Sequence, residues 1–178
     1  LPEMGGGKPV FGAISPNARV PALELSDVVI AESLAICEWA AEQNPALWPK
    51  GTSDRALARS AASIMHSGFP NLRNDAPMNI RRRTDAGRMT PAGLDDAAKV
   101  DELWSGWLKR SGGPFLFGEY SVADAMYAPV ITRFVTYAIP RSAEAQGYID
   151  RMVAEPHMAA WIAAAEKETR TLPRSDIA

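Results

Sequence analysis

The stretch from Ser15 to Ala41, SPNARVPALELSDVVIAESLAICEWAA, constrains the fold more than any other part of the chain. It opens with turn chemistry at Ser15-Pro16-Asn17 and runs through Val20-Pro21 into Ala22-Leu23-Glu24-Leu25, a short run in strand alternation. Ser26-Asp27 marks a tight reversal, and Val28-Val29-Ile30 reads as a second strand buried on both faces. Almost without a loop, Glu32-Ser33 then opens a helix whose Leu34, Cys37 and Ala41 share one face. A lone hairpin is marginal, so a further strand is expected beside residues 28–30.

A proline at the head of a strand cannot donate to the ladder, which places Pro21 at a strand start or an edge. X–Pro is also the bond with an accessible cis form; a cis bond here would turn the Val20 N–H and C=O away from the sheet, open to an extended peptide. The helix beginning at Glu32-Ser33 offers unpaired N–H groups and a positive dipole end, which suit a carboxylate. The Ser33 hydroxyl adds a donor there and Glu32 can hold an ammonium. The plainer alternative is that Pro21 starts a strand and that Glu32 and Ser33 only cap a helix. Against it, neither has a Glu or Gln three residues on, those positions being Ala35 and Ile36, so no capping box is written there.

Val20-Pro21-Ala22-Leu23 followed at this distance by Glu32-Ser33-Leu34-Ala35-Ile36 resembles the second half of the thioredoxin-like domain of glutathione S-transferases. The resemblance implies that Val20, before Pro21, pairs by its backbone with the cysteinyl part of glutathione. It further implies that Glu32 and Ser33 hold the γ-glutamyl group and that Arg19 lies near the peptide; for Arg19 a solvated side chain is an equal reading. A β-α-β unit is expected ahead of this point, carrying the thiol-activating residue upstream of Leu1, so the sequence is expected to lack its natural N-terminus. Lys8, in the glycine-rich opening, could reach the glycine carboxylate of glutathione, although solvation is the simpler reading.

Residues 45–52 hold prolines and small polar residues and read as a linker between residues 1–44 and an all-helical domain over 53–178. The expected architecture is therefore α+β: the C-terminal half of a thioredoxin-like domain followed by a helical bundle. Helical periodicity places Leu57, Ala61, Ile64, Met65, Gly68 and Leu72 on one stripe of a segment over 53–75, kinked at Pro70. A second helix over 91–110 starts at Thr90-Pro91 and shows Val100, Leu103, Trp104, Trp107 and Leu108 on one face. Helices are expected over 121–139, 142–154 and 156–168. Ser121-x-x-Asp124 reads as a capping box, a second feature similar to the family, where it opens the buried central helix.

A formal net charge of −2 excludes a strongly basic nucleic-acid surface, and no apolar run is long enough to span a bilayer. One cysteine excludes an internal disulfide and agrees with a cytoplasmic setting. His66 and His157 have no Cys or carboxylate at ligand spacing, so no metal is expected. Cys37 sits mid-helix on an apolar face and reads as a buried, inert thiol. Met65, His66, Phe69, Arg73 and Met78, with Asn79, could wall a site for an electrophilic substrate; subunit interface and plain core are equally economical readings. The resemblance implies a homodimeric enzyme, joining glutathione as co-substrate to a small electrophile in detoxifying chemistry. The alternative is a non-catalytic module of the same fold.

Overall fold

The reversal at Ser26-Asp27 closes a hairpin, with Leu25 N–H donating to the Val28 carbonyl at 2.9 Å. In the computed structural model, which describes residues 11–171, the strands are β1 (Ala22–Glu24) and β2 (Val29–Ala31). They pair antiparallel as Ala22↔Ala31, Leu23↔Ile30 and Glu24↔Val29. Helix α1 (Ser33–Gln43) follows at once, then a 3-10 turn over Pro45–Leu47. Val28 is 50% exposed and Val29 37%, so within the described residues the second strand is not buried on both faces as its composition suggested. On α1, Ala41 is buried, while Leu34 and Cys37 of the expected face are half-buried. The chain divides into two units at Trp48 and Pro49, and every regular element described in the second is a helix.

That helical unit contains α2 (Thr52–Ser67), α3 (Pro70–Asp75), α4 (Pro91–Ser111), α5 (Val122–Thr136), α6 (Ala143–Ala154) and α7 (Pro156–Lys167). Residues 53–75 form two helices, not one kinked helix. Phe69 takes a left-handed conformation (φ 60°), and Pro70 becomes the first residue of α3, where its missing N–H costs nothing. The buried stripe of α2 is also turned from the expected one. Ala58, Ala61, Ala62 and Met65 are inside, whereas Ile64 is exposed and Leu57 half-buried, because small alanines let α2 lie close against α5. Helix α5 stops at Thr136, earlier than expected, since Ala138 adopts φ 46° just before Ile139-Pro140.

Helices α3 and α4 cap each other. The carboxylate of Asp96, on α4, accepts from the N–H groups of Asn71 and Leu72 at 2.9 and 3.0 Å, supplying the first turn of α3. Asp75 at the end of α3 accepts from Thr90 N–H (2.9 Å) and Thr90 Oγ1 (2.6 Å), holding the residue that caps α4. The approach is close enough that a Cβ on Gly93 would sit 2.2 Å from Asp75 Oδ2.

The core is organised by Trp104, fully buried, with Tyr127, Phe134 and Tyr148 packed at ring-centroid distances of 5.7, 5.2 and 5.1 Å. Its tilted and edge-on contacts are each worth about 0.5–1.5 kcal/mol beyond the area they bury. Beneath it Ser121 and Asp124 form a capping box at the start of α5. The Asp124 carboxylate accepts from Ser121 N–H and Oγ (both 3.0 Å), Leu116 N–H (3.0 Å) and the Tyr148 hydroxyl (2.9 Å). Burial pushes this carboxyl above its ordinary value, while the four donors pull it the other way. The long connection over 76–90 is tied down on α5. Arg133 reaches the Ala76 carbonyl (2.9 Å), Thr136 Oγ1 that of Asn79 (2.7 Å) and Tyr137 that of Pro77 (2.8 Å). Arg133 is half-buried, its pKa lowered to about 10 chiefly by desolvation, so it stays charged at neutral pH. Among the described residues no helix is long and apolar enough to cross a membrane.

Two tyrosines that look alike in sequence should respond oppositely. Tyr127 carries a buried hydroxyl without a partner among the described residues, so Tyr127→Phe should leave stability unchanged or raise it by up to about 1–3 kcal/mol. Tyr148→Phe removes one of Asp124's donors and should cost about 1–3 kcal/mol, both read from urea unfolding midpoints. The α3–α4 junction should be acid-sensitive. The hydrogen bond from Thr90 lowers the Asp75 pKa below its ordinary 3.8, so its contribution stands in full above that value. It is then lost as pH falls through the folded value. Thermal unfolding at about pH 6 and about pH 3 should show a smaller acid-induced loss in Asp75→Asn than in the parent chain.

Candidate functional site

The ladder's register decides what stands at the open end of the hairpin. The ladder ends at Ala22 and Ala31, so the chain leaves it through Pro21 and Val20 on one strand and through Glu32 into Ser33, the start of α1, on the other. The Val20–Pro21 peptide is cis, and Val20 is 51% exposed. From the other strand, α1 begins at Ser33. Glu32 occupies the cap position with φ 73° and ψ 127° and makes no side-chain bond to the first turn. Ile36 N–H, donating to the Glu32 carbonyl at 3.1 Å, is the first helical donor so satisfied. The N–H groups of Ser33, Leu34 and Ala35 therefore form a donor-rich helix end with positive dipole, next to a short extended segment. Arg19 and Glu32 are exposed and Ser33 half-buried.

Glu32 is held in place from the preceding turn. Asn17 Nδ2 donates to Glu32 Oε1 at 2.6 Å, while Asn17 Oδ1 accepts from buried Ser15 Oγ at 2.8 Å and from Arg19 N–H at 3.1 Å. One amide thus fixes the carboxylate and the backbone leading into Val20. Cys37, one turn into α1, has its thiol pKa raised by burial and by neighbouring Glu38, which makes it a poor nucleophile. Lys8 lies outside the described residues.

The residues expected around an electrophile have mixed positions in the helical unit. Met65 and Phe69 are buried; His66 and Met78 are exposed. Arg73 joins three of the segment's residues, but as a cap. Its guanidinium donates to the carbonyls of Gly68 (3.0 Å) and Met65 (2.5 Å) and lies 3.5 Å from that of His66, closing the C-terminus of α2. Asn79 accepts from Arg82 N–H at 3.3 Å within the 76–90 connection. Among the described residues no group of three or more His, Cys, Asp or Glu side chains is arranged to hold a metal ion.

A hairpin with these features, followed at once by a helix and then by an all-helical unit, matches two descriptions of one family. The N-terminal domain of glutathione S-transferase matches residues 3–43 and its C-terminal domain residues 90–164, together more than half the chain. The chain belongs to the glutathione S-transferase family. It is 32% identical over 132 residues to glutathione S-transferase 1 of Dianthus caryophyllus, covering 72% of this chain and 60% of that one. It is 37% identical over 124 residues to a probable maleylacetoacetate isomerase of Caenorhabditis elegans, covering 66% and 56%. The fold is similar to that of a theta class glutathione S-transferase from Xanthomonas axonopodis pv. citri, solved with glutathione bound. There the TM-score is 0.67 and the identity 24%, covering 92% of this chain and 81% of that one. The chain spans about three fifths of the length of the curated relatives it matches.

Within this glutathione S-transferase chain, Ser15 and Asn17 are the site residues that sequence reasoning passed over as turn formers. The signal was present: Asn in a turn bonds its own backbone two residues on, as Asn17 does to Arg19. Its second bond, to Glu32 fifteen residues away, needed the hairpin register and could not be read locally. Asn17→Ala should release both ends. Arg19 N–H loses its acceptor, and its amide exchange should speed up by about an order of magnitude, with the helical unit's exchange unchanged.

Proposed function

We propose that the chain binds glutathione along the backbone of Val20 and at the amino end of α1. The whole protein then transfers or adds the glutathione thiol to a small electrophile. The observation that carries this is the hairpin that ends at Ala22 and Ala31, with the cis Val20–Pro21 peptide leaving one strand there and the first turn of α1 leaving the other. An extended peptide can pair with Val20 as a short added strand. Its α-carboxylate then meets the Ser33 hydroxyl and first-turn N–H groups, its ammonium meets the Glu32 carboxylate braced by Asn17, and Arg19 lies alongside. These are the groups of a γ-glutamyl peptide.

A thiol of pKa about 8.5 is mostly protonated at neutral pH and must be held as thiolate beside its target. Immobilising it next to the electrophile makes the attack effectively unimolecular. The sulfur lone pair forms the C–S bond while a leaving group departs with its electrons, or the electrons of a polarised double bond take up a proton. If the C–S bond breaks again after rotation, the outcome is isomerisation and the thiol is returned. The isomerase names of the Caenorhabditis elegans and Rattus norvegicus relatives favour this second reading, with an electron-poor double bond as substrate. No thiol-activating side chain is assigned among the described residues. We place the enzyme in the cytoplasm as a homodimer, exposed Ile64 and Leu94 being available to a second copy.

Isothermal titration with glutathione should show saturable binding, weakened about tenfold or more by Ser33→Ala, whose helix should remain intact by circular dichroism. Turnover of a double-bond electrophile by the full-length protein should accompany it. Binding without turnover would favour a non-catalytic module, and absence of binding would overturn the proposal.

A further inference from the structure

Helices α5, α6 and α7 and the 76–90 connection line a pocket of about 190 Å³, open to solvent on one side, in the helical unit and separate from the residues discussed above. Its apolar lining includes Ile131, Val153 and Ile162, and its polar lining is Thr132, Arg83 and Glu166. An apolar cavity of about 150 Å³ already takes a benzene-sized molecule, so this pocket has room for a body of that order. The Thr132 hydroxyl hydrogen is committed to the Pro129 carbonyl at 2.9 Å. Arg83 is different. Its Nη1 donates to the carbonyls of Ile80 and Arg82, both at 2.7 Å, which pins one end of the guanidinium to its own loop. No bond is made by its Nε and Nη2 among the described residues. That edge presents two parallel N–H groups, the geometry that takes a carboxylate through two bonds.

We infer that this pocket is a site for a small apolar carboxylate of roughly ten non-hydrogen atoms or fewer, its tail among Ile131, Val153 and Ile162 and its carboxylate on the open edge of Arg83. The loop carbonyls fix the orientation of the guanidinium before any ligand arrives, so little ordering is needed on binding. Glu166 on the same lining carries the ligand's own sign of charge and tempers its affinity. The site lies wholly within the helical unit and does not depend on glutathione.

Methyl NMR of the full chain titrated with hexanoate tests this, with hexylamine as the same tail bearing the opposite charge. Hexanoate should shift the Ile131 and Ile162 methyl signals saturably, and hexylamine should not. Arg83→Gln, an exposed position expected to leave the fold intact by circular dichroism, should weaken hexanoate about tenfold or more. Glu166→Gln should leave the affinity unchanged or tighten it. Unmoved methyl signals, equal binding by Arg83→Gln, or equal response to hexylamine would overturn the assignment.

Discussion

Three residue pairs set the end of the hairpin at which binding is proposed. With Ala22 against Ala31, a strand head that cannot donate a ladder bond and a helix that starts without a cap are brought to one edge. A slip of one residue would turn every side chain of the hairpin to the other face and displace the start of α1 along the strand that Val20 leads into. The register is short, so its definition comes from both ends. The Leu25–Val28 bond closes the turn, and Asn17 ties the entry of β1 to Glu32 at the exit of β2. The amide of one turn residue thus supports the geometry that the proposed binding mode requires.

The helical unit uses a parallel economy. Carboxylates here meet donors that helix ends and turns leave unpaired. Asp96 and Asp75 trade caps between α3 and α4, and Asp124 serves Ser121, Leu116 and Tyr148 at once. This is why the connection over 76–90 can remain irregular without loosening. Its carbonyls are met by Arg133, Thr136 and Tyr137 of a helix end fixed by the aromatic core around Trp104.

Much of this could be read from the chain alone, for identifiable reasons. The hairpin and α1 follow from local turn chemistry and short-range alternation. The limits of α4 and α6 and the start of α7 follow from Pro or Ser at their starts and Gly or Pro just past the ends of α4 and α6. Failures came where tertiary packing overrode local pattern. A 3.6-residue period through 53–75 could not show that Phe69 leaves helical space, and hydrophobicity alone put Ile64 inside when close alanine packing turned it outward. Arg73 was offered as a substrate contact because arginine is versatile; its guanidinium is engaged by the carbonyls that end α2. The contact between Asn17 and Glu32 is invisible without the register.

The proposed function requires a peptide lying beside Val20 with its anionic head at the first turn of α1. Amide chemical-shift mapping during a glutathione titration of the ¹⁵N-labelled chain tests this most directly. The predicted result is that the amides of Val20, Ser33 and Leu34 move together with one saturation curve, those of α6 and α7 staying still. Saturable binding with these three amides unmoved would contradict it.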